Sequence, residues 1–397
     1  MATHSDPVVI VAAKRTPMGG FQGNLSGASA SDLGSAAIAS AIAEAGLAGE
    51  DIDQGVMGCV LPAGQGQAPA RQALLGAGLP QSVGAATVNK MCGSGMKAAM
   101  DAHDMILAGS ADIMVAGGME SMTNAPYLLP KARGGLRMGH GEVQDHMFLD
   151  GLEDAYEPGR LMGSFAEDCA EKYQFTREAQ DAYAIRSLER AQAAIGGGAF
   201  TGEVTPVTIS GRGGETVVDT DEQPGKARPD RIPSLKPAFR KDGTVTAANA
   251  SSISDGAAAL ILMRASEADR RGISPIARIV GHTTHAHAPN WFATAPIPAC
   301  EKLLEKTGWQ AGDVDLWEVN EAFAVVAMAA IRDLGLDDDR VNVNGGACAL
   351  GHPIGASGAR ILVTLLSALR ARGGTKGIAS LCIGGGEATA MAVEMVN

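Results

Sequence analysis

The sequence predicts an α/β fold made of two similar halves about a pseudo-twofold axis, with an inserted segment. Three observations carry this. Short apolar runs alternate with Ala-rich stretches of helical spacing through residues 8–121, which implies a mostly parallel sheet covered on both faces. The second half of the chain then echoes the first. Ala45-Gly46-Leu-Ala-Gly-Glu-Asp51-Ile-Asp53 aligns without gaps on Thr307-Gly308-Trp-Gln-Ala-Gly-Asp313-Val-Asp315, at a constant offset of 262 (308 − 46 and 315 − 53). Between residues 122 and 249 the texture changes to glycine, proline and charge. An internal repeat decides the architecture, because turns at equivalent strand ends converge on one site.

In chain order, residues 8–13 are continuously apolar and read as a buried strand. Residues 31–45 read as a helix, 52–60 as a strand, and 64–72 as a turn entering a short helix. Residues 85–88 form a strand that leads through a turn at Cys92 into a helix ending at 107. Residues 113–116 form another strand, closed by Gly117-Gly-Met-Glu-Ser121. In the inserted segment one helix stands out, 177–195, with Thr176 as N-cap and Glu178 in its first turn. Strand texture returns at 250–263, and the second half begins after Pro275. There the run 377–381 reads as a strand and 356–369 as a helix. Residues 343–358 are the counterpart of the Cys92 turn, and Cys382-Ile-Gly-Gly-Gly-Glu387 resembles residues 114–120.

At 397 residues the chain is long enough for two or three domains. Apolar residues make up 46% and charged residues 19%, so the protein is globular. A net charge of −12 argues against general nucleic-acid binding, which needs a basic face. The six cysteines show no C-x-x-C spacing, so neither a zinc ribbon nor a disulfide framework is suggested, and the pattern suits a reducing, cytoplasmic setting. No signal peptide is visible. No apolar run reaches the roughly 18 residues of a membrane span.

The chemistry centres on Asn89-Lys-Met-Cys-Gly-Ser-Gly95. Glycines after Cys92 permit a tight turn, and the run from Met96 is rich in helix formers. Cys92 is therefore expected to cap a helix, where the dipole favours a thiolate nucleophile. A rival reading takes Gly93-x-Gly95-x-x-Ala98 with Glu120 as a dinucleotide fingerprint. The partners elsewhere decide between them. Asn320 ends a strand in Trp317-Glu-Val-Asn-Glu-Ala-Phe323, His352 sits in a glycine-lined turn, and Cys382 ends a strand before Gly384-Gly385-Gly386. At corresponding turns of a repeat they supply a nucleophile, an acid–base group and oxyanion donors, the parts of acyl transfer. His282, His285 and His287 form an H-x-x-H-x-H cluster in what reads as a polar loop without a carboxylate between them, and no metal is expected there. The other cysteines, Cys348 included, are expected to pack.

Four ordered motifs, Asn89-Lys-Met-Cys-Gly-Ser-Gly95, Asn320-Glu-Ala-Phe323, Gly351-His-Pro-Ile-Gly-Ala-Ser-Gly358 and Cys382-Ile-Gly-Gly-Gly386, resemble those of the thiolase family, and the likeness runs over essentially the whole chain. The resemblance implies two repeated βαβαβαββ halves, 1–121 with 250–274 and 275–397, and a loop domain at 122–249 for coenzyme A binding and oligomerisation. It implies reversible condensation of two acetyl-CoA to acetoacetyl-CoA, or thiolytic cleavage of short 3-ketoacyl-CoA, through an acyl-cysteine. Coenzyme A thioesters are then the substrates, with no covalently bound cofactor, no metal, no nucleic-acid or membrane partner, and a homotetramer (a dimer of dimers) as the assembly. In that reading Cys92 is the nucleophile, His352 takes its proton, and Cys382 is the base for the second substrate. Asn320, through a held water, and His352 face the enolate oxygen. The backbone N–H groups of Cys92 and Gly384 face the tetrahedral oxyanion. Alternatives are a broader-chain or branched 3-ketoacyl-CoA thiolase, a ketoacyl-synthase-like condensing enzyme and a non-catalytic acyl-CoA binder.

The same resemblance gives Ser251 a coenzyme A contact and makes the basic stretch 226–241 a site for its phosphates, with Arg228 as the candidate arginine. It also shows departures. Leu161-Met162-Gly163 stands where acetoacetyl-CoA thiolases often carry His-Met-Gly, and Phe292 where many have Met. Both positions belong to the family's acyl and pantetheine pocket, so chain length is the property these changes address.

Overall fold

The computed structural model describes residues 6–211 and 213–396. The apolar run at the N-terminus becomes the strand Val8–Arg15, which pairs on one side with Ser254–Arg264 and on the other with Ala277–Ala286. It is the seam of a single sheet. From there the first half continues through Ile113–Ser121 and Gln54–Gly58 to Gly84–Val88. The second half continues through Glu387–Met395 and Lys376–Ile383 to Leu316–Val319. Gly19–Gly20 adds a short side pairing to Ser254–Arg264.

The duplication is visible at the level of single hydrogen bonds. Asp53 Oδ2 accepts from the amides of Asp112 and Ile113 at 2.8 and 2.9 Å. Asp315 Oδ2 accepts from those of Thr375 and Lys376 at 2.7 and 2.9 Å. Gly46 and Gly308 end their helices at φ 66° and 73°. The ladders break between Ile10 and Ala12 and again between Ile279 and Gly281. Val11 and Val280 therefore hold the same place, and Val9, which pairs with Arg278, pairs with its own counterpart (280 − 11 and 278 − 9 are both 269). A position facing its equivalent across an antiparallel ladder is the mark of a twofold axis.

The parallel pairing expected from strand–helix alternation occurs where helices make the connections, on both sides of Gln54–Gly58 and between Leu316–Val319 and Lys376–Ile383. The strands nearer the seam run antiparallel. The reason is connection length: three glycines join Ile383 to Glu387, and so short a link allows only an antiparallel return. One expected correspondence does not hold. Ile113–Ser121 runs straight through Gly117 and Gly118, whereas Gly384–Gly386 make a turn. The likeness of 114–120 to 382–387 is one of composition.

Two helices lie between the halves. Ser94–Leu107 and Ser357–Arg372 share one apolar cluster with strands of both halves. The second is buried almost all round up to Leu369, as a helix in a central layer must be. Helices Ala30–Ala45 and Pro69–Gly76 cover the outer face of the first half. Pro296–Thr307 and Ala324–Leu334 cover that of the second. The capping box of Ser29 and Asp32 starts the first of these helices.

The segment between the first-half strands carries Met162–Tyr173 and Arg177–Gly196, the latter capped by Thr176, whose side chain accepts from the Ala179 amide at 3.2 Å. It is tied to the first strand by a buried ion cluster. The Arg15 guanidinium donates to Glu203 at 2.5 Å and to both oxygens of Asp221 at 2.7 and 2.9 Å.

Candidate active site

Cys92 lies between the strand Gly84–Val88 and the helix Ser94–Leu107. The N-cap is Gly93, so Cys92 stands one residue outside the helix and does not cap it. The turn is strained: Met91 adopts φ 48°, a left-handed conformation that costs a side-chain-bearing residue about 1 kcal/mol. Its neighbours hold it. Asn89 Oδ1 accepts from the Met91 amide at 2.9 Å, and Ser94 Oγ accepts from Lys90 N at 2.8 Å and donates to the Met91 carbonyl at 2.6 Å. The expected lowering of the thiol pKa does not follow. Burial pushes the Cys92 thiol up to about 11, with a lesser push from Glu120, against hydrogen bonds from the Gly384 and Cys92 amides. Loss of solvent outweighs the helix dipole, so the resting group is a thiol.

The second thiol comes from the other half. Cys382 lies on Lys376–Ile383 and is fully buried. Burial, and then the charge of Cys92, raise its pKa well above the usual range. The two thiols are thus near enough for the charge of one to act on the other, and the Gly384 amide that follows Cys382 donates toward Cys92. A Cβ placed on Gly384 would lie 3.5 Å from Met162 Sδ and 3.9 Å from Met91 Cε, so this turn sits between the Cys92 loop and the start of Met162–Tyr173. An ion pair between Lys90 and Glu387 ties the same two loops together.

His352 is buried, and its amide donates to the Ser252 carbonyl and Ser254 Oγ, both at 3.2 Å. Its Nδ1 lies 2.5 Å from Ser357 Oγ, and that hydroxyl donates to the Pro353 carbonyl at 2.9 Å. With its one proton committed, Ser357 can only accept from the ring, so Nδ1 carries the hydrogen and Nε2 the lone pair. Nε2 is buried without a protein partner among the described residues. Burial, helped by the Arg360 charge, holds the imidazole at about 3, so it rests neutral. Asn320 follows Leu316–Val319; its amide donates to the Ser380 carbonyl at 3.0 Å, and neither side-chain amide atom has a partner among the described residues.

Three residues have structural roles that sequence reasoning left unassigned. Ser357, inside the His352 motif, orients the ring. Glu120 joins the halves: Oε2 accepts from the amides of Val60 and Gly355, both at 2.9 Å, and Oε1 from Leu61 at 3.1 Å. Burial pushes its carboxyl up to about 7, and those amides pull it down. The backbones come so close that a Cβ on Gly118 would stand 2.1 Å from the Gly355 carbonyl. Glu321, next to Asn320, accepts from Tyr183, Ser187, Asn342 and the Cys348 amide at 2.7–3.1 Å and clamps the inserted helix to the second half. Paired motif glycines and acids were the available signal.

A cleft of about 490 Å³ opens between the inserted segment and the second half, with Lys226, Arg228, Arg231, Leu188, Ser252 and Cys348 in its walls. The basic stretch does not act as one patch. Lys226, Arg228 and Arg231 face this cleft, whereas Arg240 is paired with Asp168 and lines a different depression beside Gly243. Lys226 itself pairs with Glu222. Ser251 Oγ donates to the Ala322 carbonyl at 2.9 Å. Leu161 is the residue before Met162–Tyr173 and is half-buried, as is Met162. Phe292 is only 3% exposed and meets the Phe323 ring edge-on at 6.2 Å, so it acts from behind the Asn320 loop. Cys348, beyond its packing role, reaches the cleft wall.

A fold of two duplicated halves that brings one thiol from each close to the other defines a class. The chain belongs to the thiolase family: the family descriptions "Thiolase, N-terminal domain" and "Thiolase, C-terminal domain" match residues 8–266 and 273–395. Among its relatives, a Pseudomonas aeruginosa protein named acetyl-CoA acetyltransferase is 51% identical over 386 residues, 97% of this chain and 98% of the relative. An Allochromatium vinosum protein of the same name is 49% identical over 98% of this chain and 99% of its own length. Acetyl-CoA acetyltransferase 2 of Arabidopsis thaliana is 51% identical over 98% and 97%.

Proposed function

We propose that this protein is an acetyl-CoA acetyltransferase that joins two acetyl-CoA into acetoacetyl-CoA and free coenzyme A, and runs the reverse cleavage on the same path. The observation that carries the reading is the approach of the Cys92 and Cys382 thiols to one another beside the Gly384 amide; the unpartnered lone pair of His352 Nε2 supports an acid–base role for that ring. The names of the relatives point to the same reaction.

The chemistry follows from protonation states. Cys92 rests as a thiol, so its proton passes to His352 Nε2 as Sγ attacks the acetyl carbonyl. The amides of Gly384 and Cys92 hold the oxyanion. The departing coenzyme A thiolate takes a proton from Cys382, which burial would otherwise keep as a thiol. Cys382 then removes a methyl proton from the second acetyl-CoA. The enolate oxygen faces the His352 imidazolium and the Asn320 amide, and its carbon attacks the acyl-Cys92. Cys92 leaves as a thiolate and recovers its proton from His352, so the proton count closes.

Coenzyme A lies in this reading along the cleft walled by Arg228 and Arg231, with Ser251 at its inner end and the segment 122–249 as the coenzyme-binding and oligomerisation domain. Leu161, Met162 and Phe292 shape the acyl end. Tyr127 and Met138 are 68% and 97% exposed on that segment, which supports a covered surface in a homotetramer. No helix of the described residues is long and apolar enough to cross a membrane, and we take the enzyme to work in the cytoplasm.

Mass spectrometry of the protein incubated with acetyl-CoA tests the reading. Cys382→Ser is expected to accumulate acetyl-Cys92 without forming acetoacetyl-CoA, and Cys92→Ser to form neither. Wild-type exchange of acetyl-CoA methyl protons in Cys382→Ser would remove the base assignment.

A further inference from the structure

The histidine-rich stretch 282–287 has no part in that site, and the fold takes it apart. His282 and His285 lie on the strand Ala277–Ala286, not in a loop, and three residues apart they project to opposite faces. His285 meets His287 edge-on with ring centroids 5.1 Å apart, and His287 Nε2 lies 2.8 Å from the Trp291 carbonyl. His282 turns to the other end of the helix that begins beside Cys92. Its Nε2 is 3.3 Å from His103 Nδ1 and 3.0 Å from Asp104 Oδ1. His103 Nδ1 is in turn 2.9 Å from Asp104 Oδ1.

Two imidazole nitrogens and a carboxylate oxygen therefore form a closed triangle. Adjacent helix residues point about 100° apart, so convergence of 103 and 104 on one spot is not a by-product of helix geometry. Donors held about 2.0–2.1 Å from one ion stand about 2.9 Å apart at octahedral angles and about 3.3 Å apart at tetrahedral ones. The three edges here fall in that interval. We propose that His103, Asp104 and His282 bind a divalent cation of the zinc type, leaving a coordination position for solvent.

Two imidazoles select zinc, cobalt, nickel or copper over magnesium and calcium, which prefer oxygen donors. The rings are largely covered, at 13% and 12% side-chain exposure, while Asp104 is 59% exposed and gives the ion its way in. Binding requires lone pairs on His103 Nδ1 and His282 Nε2, so each ring carries its proton on the other nitrogen, with no net release. The ion would join helix Ser94–Leu107 of the first half to a seam strand of the second.

The test uses the full chain stripped with a chelator and titrated with Zn²⁺ and, separately, Co²⁺. Wild type is expected to bind one ion at this site, with a melting temperature that rises with metal. His103→Gln and His282→Gln are expected to bind at least tenfold more weakly and to lose that rise. The buried thiols are the competing ligands, and Co²⁺ distinguishes them: nitrogen and oxygen ligation gives weak visible bands, thiolate ligation an intense near-ultraviolet band. No binding by wild type, equal affinity in the variants, or a Co²⁺ spectrum of thiolate ligation alone overturns the proposal. Should a glutamine variant fail to fold, the wild-type Co²⁺ spectrum decides.

Discussion

Gly95 and Gly358 meet where the two central helices cross. A Cβ on Gly95 would stand 2.7 Å from the Ala359 amide nitrogen, and one on Gly358 only 2.4 Å from that of Met96. They are counterparts in the two halves, so the pseudo-twofold axis passes through a contact that admits no side chain. One helix starts just after Cys92 and the other follows the turn that holds His352, so their separation sets how far apart those two segments stand.

Gly358→Ala must therefore push backbone from backbone. The expected cost is about 1–3 kcal/mol of stability, as for other overpacked cores. Turnover should fall by more than the loss of folded protein explains. Chemical denaturation with activity per folded molecule checks both.

Ser357→Ala removes the acceptor that keeps the proton on His352 Nδ1. The lost bond corresponds to about 1 kcal/mol or more, so kcat should fall roughly tenfold while KM stays near its value. Restoration by Ser357→Thr would identify the hydroxyl as the cause. An unchanged kcat in the alanine variant would show that the ring needs no such partner.

Alkylation of Cys92 by a small neutral reagent should quicken steadily with pH up to about 10, because burial holds the thiol near 11. A plateau below pH 8 would mean that Cys92 and His352 rest as a thiolate–imidazolium pair, and the resting state given above would be wrong.

His352 is held at about 3 in the folded protein and takes a proton near 6.5 when unfolded. Its folded pKa is depressed, so the unfolded chain binds more protons in that interval. Stability is whole above 6.5 and declines as pH falls toward 3, by about 1.4 kcal/mol per unit below 6.5. His352→Asn should therefore lose less stability than wild type between pH 7 and 5 in urea titrations.

Arg228→Ala should raise KM for acetyl-CoA several-fold with little change in kcat, since a charge on the cleft wall acts on binding rather than on the reacting carbons. Arg240→Ala, whose charge is already spent on Asp168, should leave KM alone.

What was legible in the residues was whatever depends on near neighbours. Apolar periodicity marked most first-half strands and helices to within a few positions, but it left Pro296–Thr307 and Ala324–Leu334 unread and took part of the strand Ala277–Ala286 for a loop; the 262-residue echo announced the duplication, and motifs at matching turns singled out Cys92, Asn320, His352 and Cys382. What tertiary structure alone decided was everything set by distance through space. The acidity of Cys92 is governed by burial and not by the helix after it. The His352 tautomer depends on where the Ser357 proton goes. The basic stretch divides between two sides of the inserted segment, and His282 finds its partners 178 and 179 residues earlier in the chain. Desolvation and hydrogen-bond geometry act over a few ångströms, and no reading of chain order measures those.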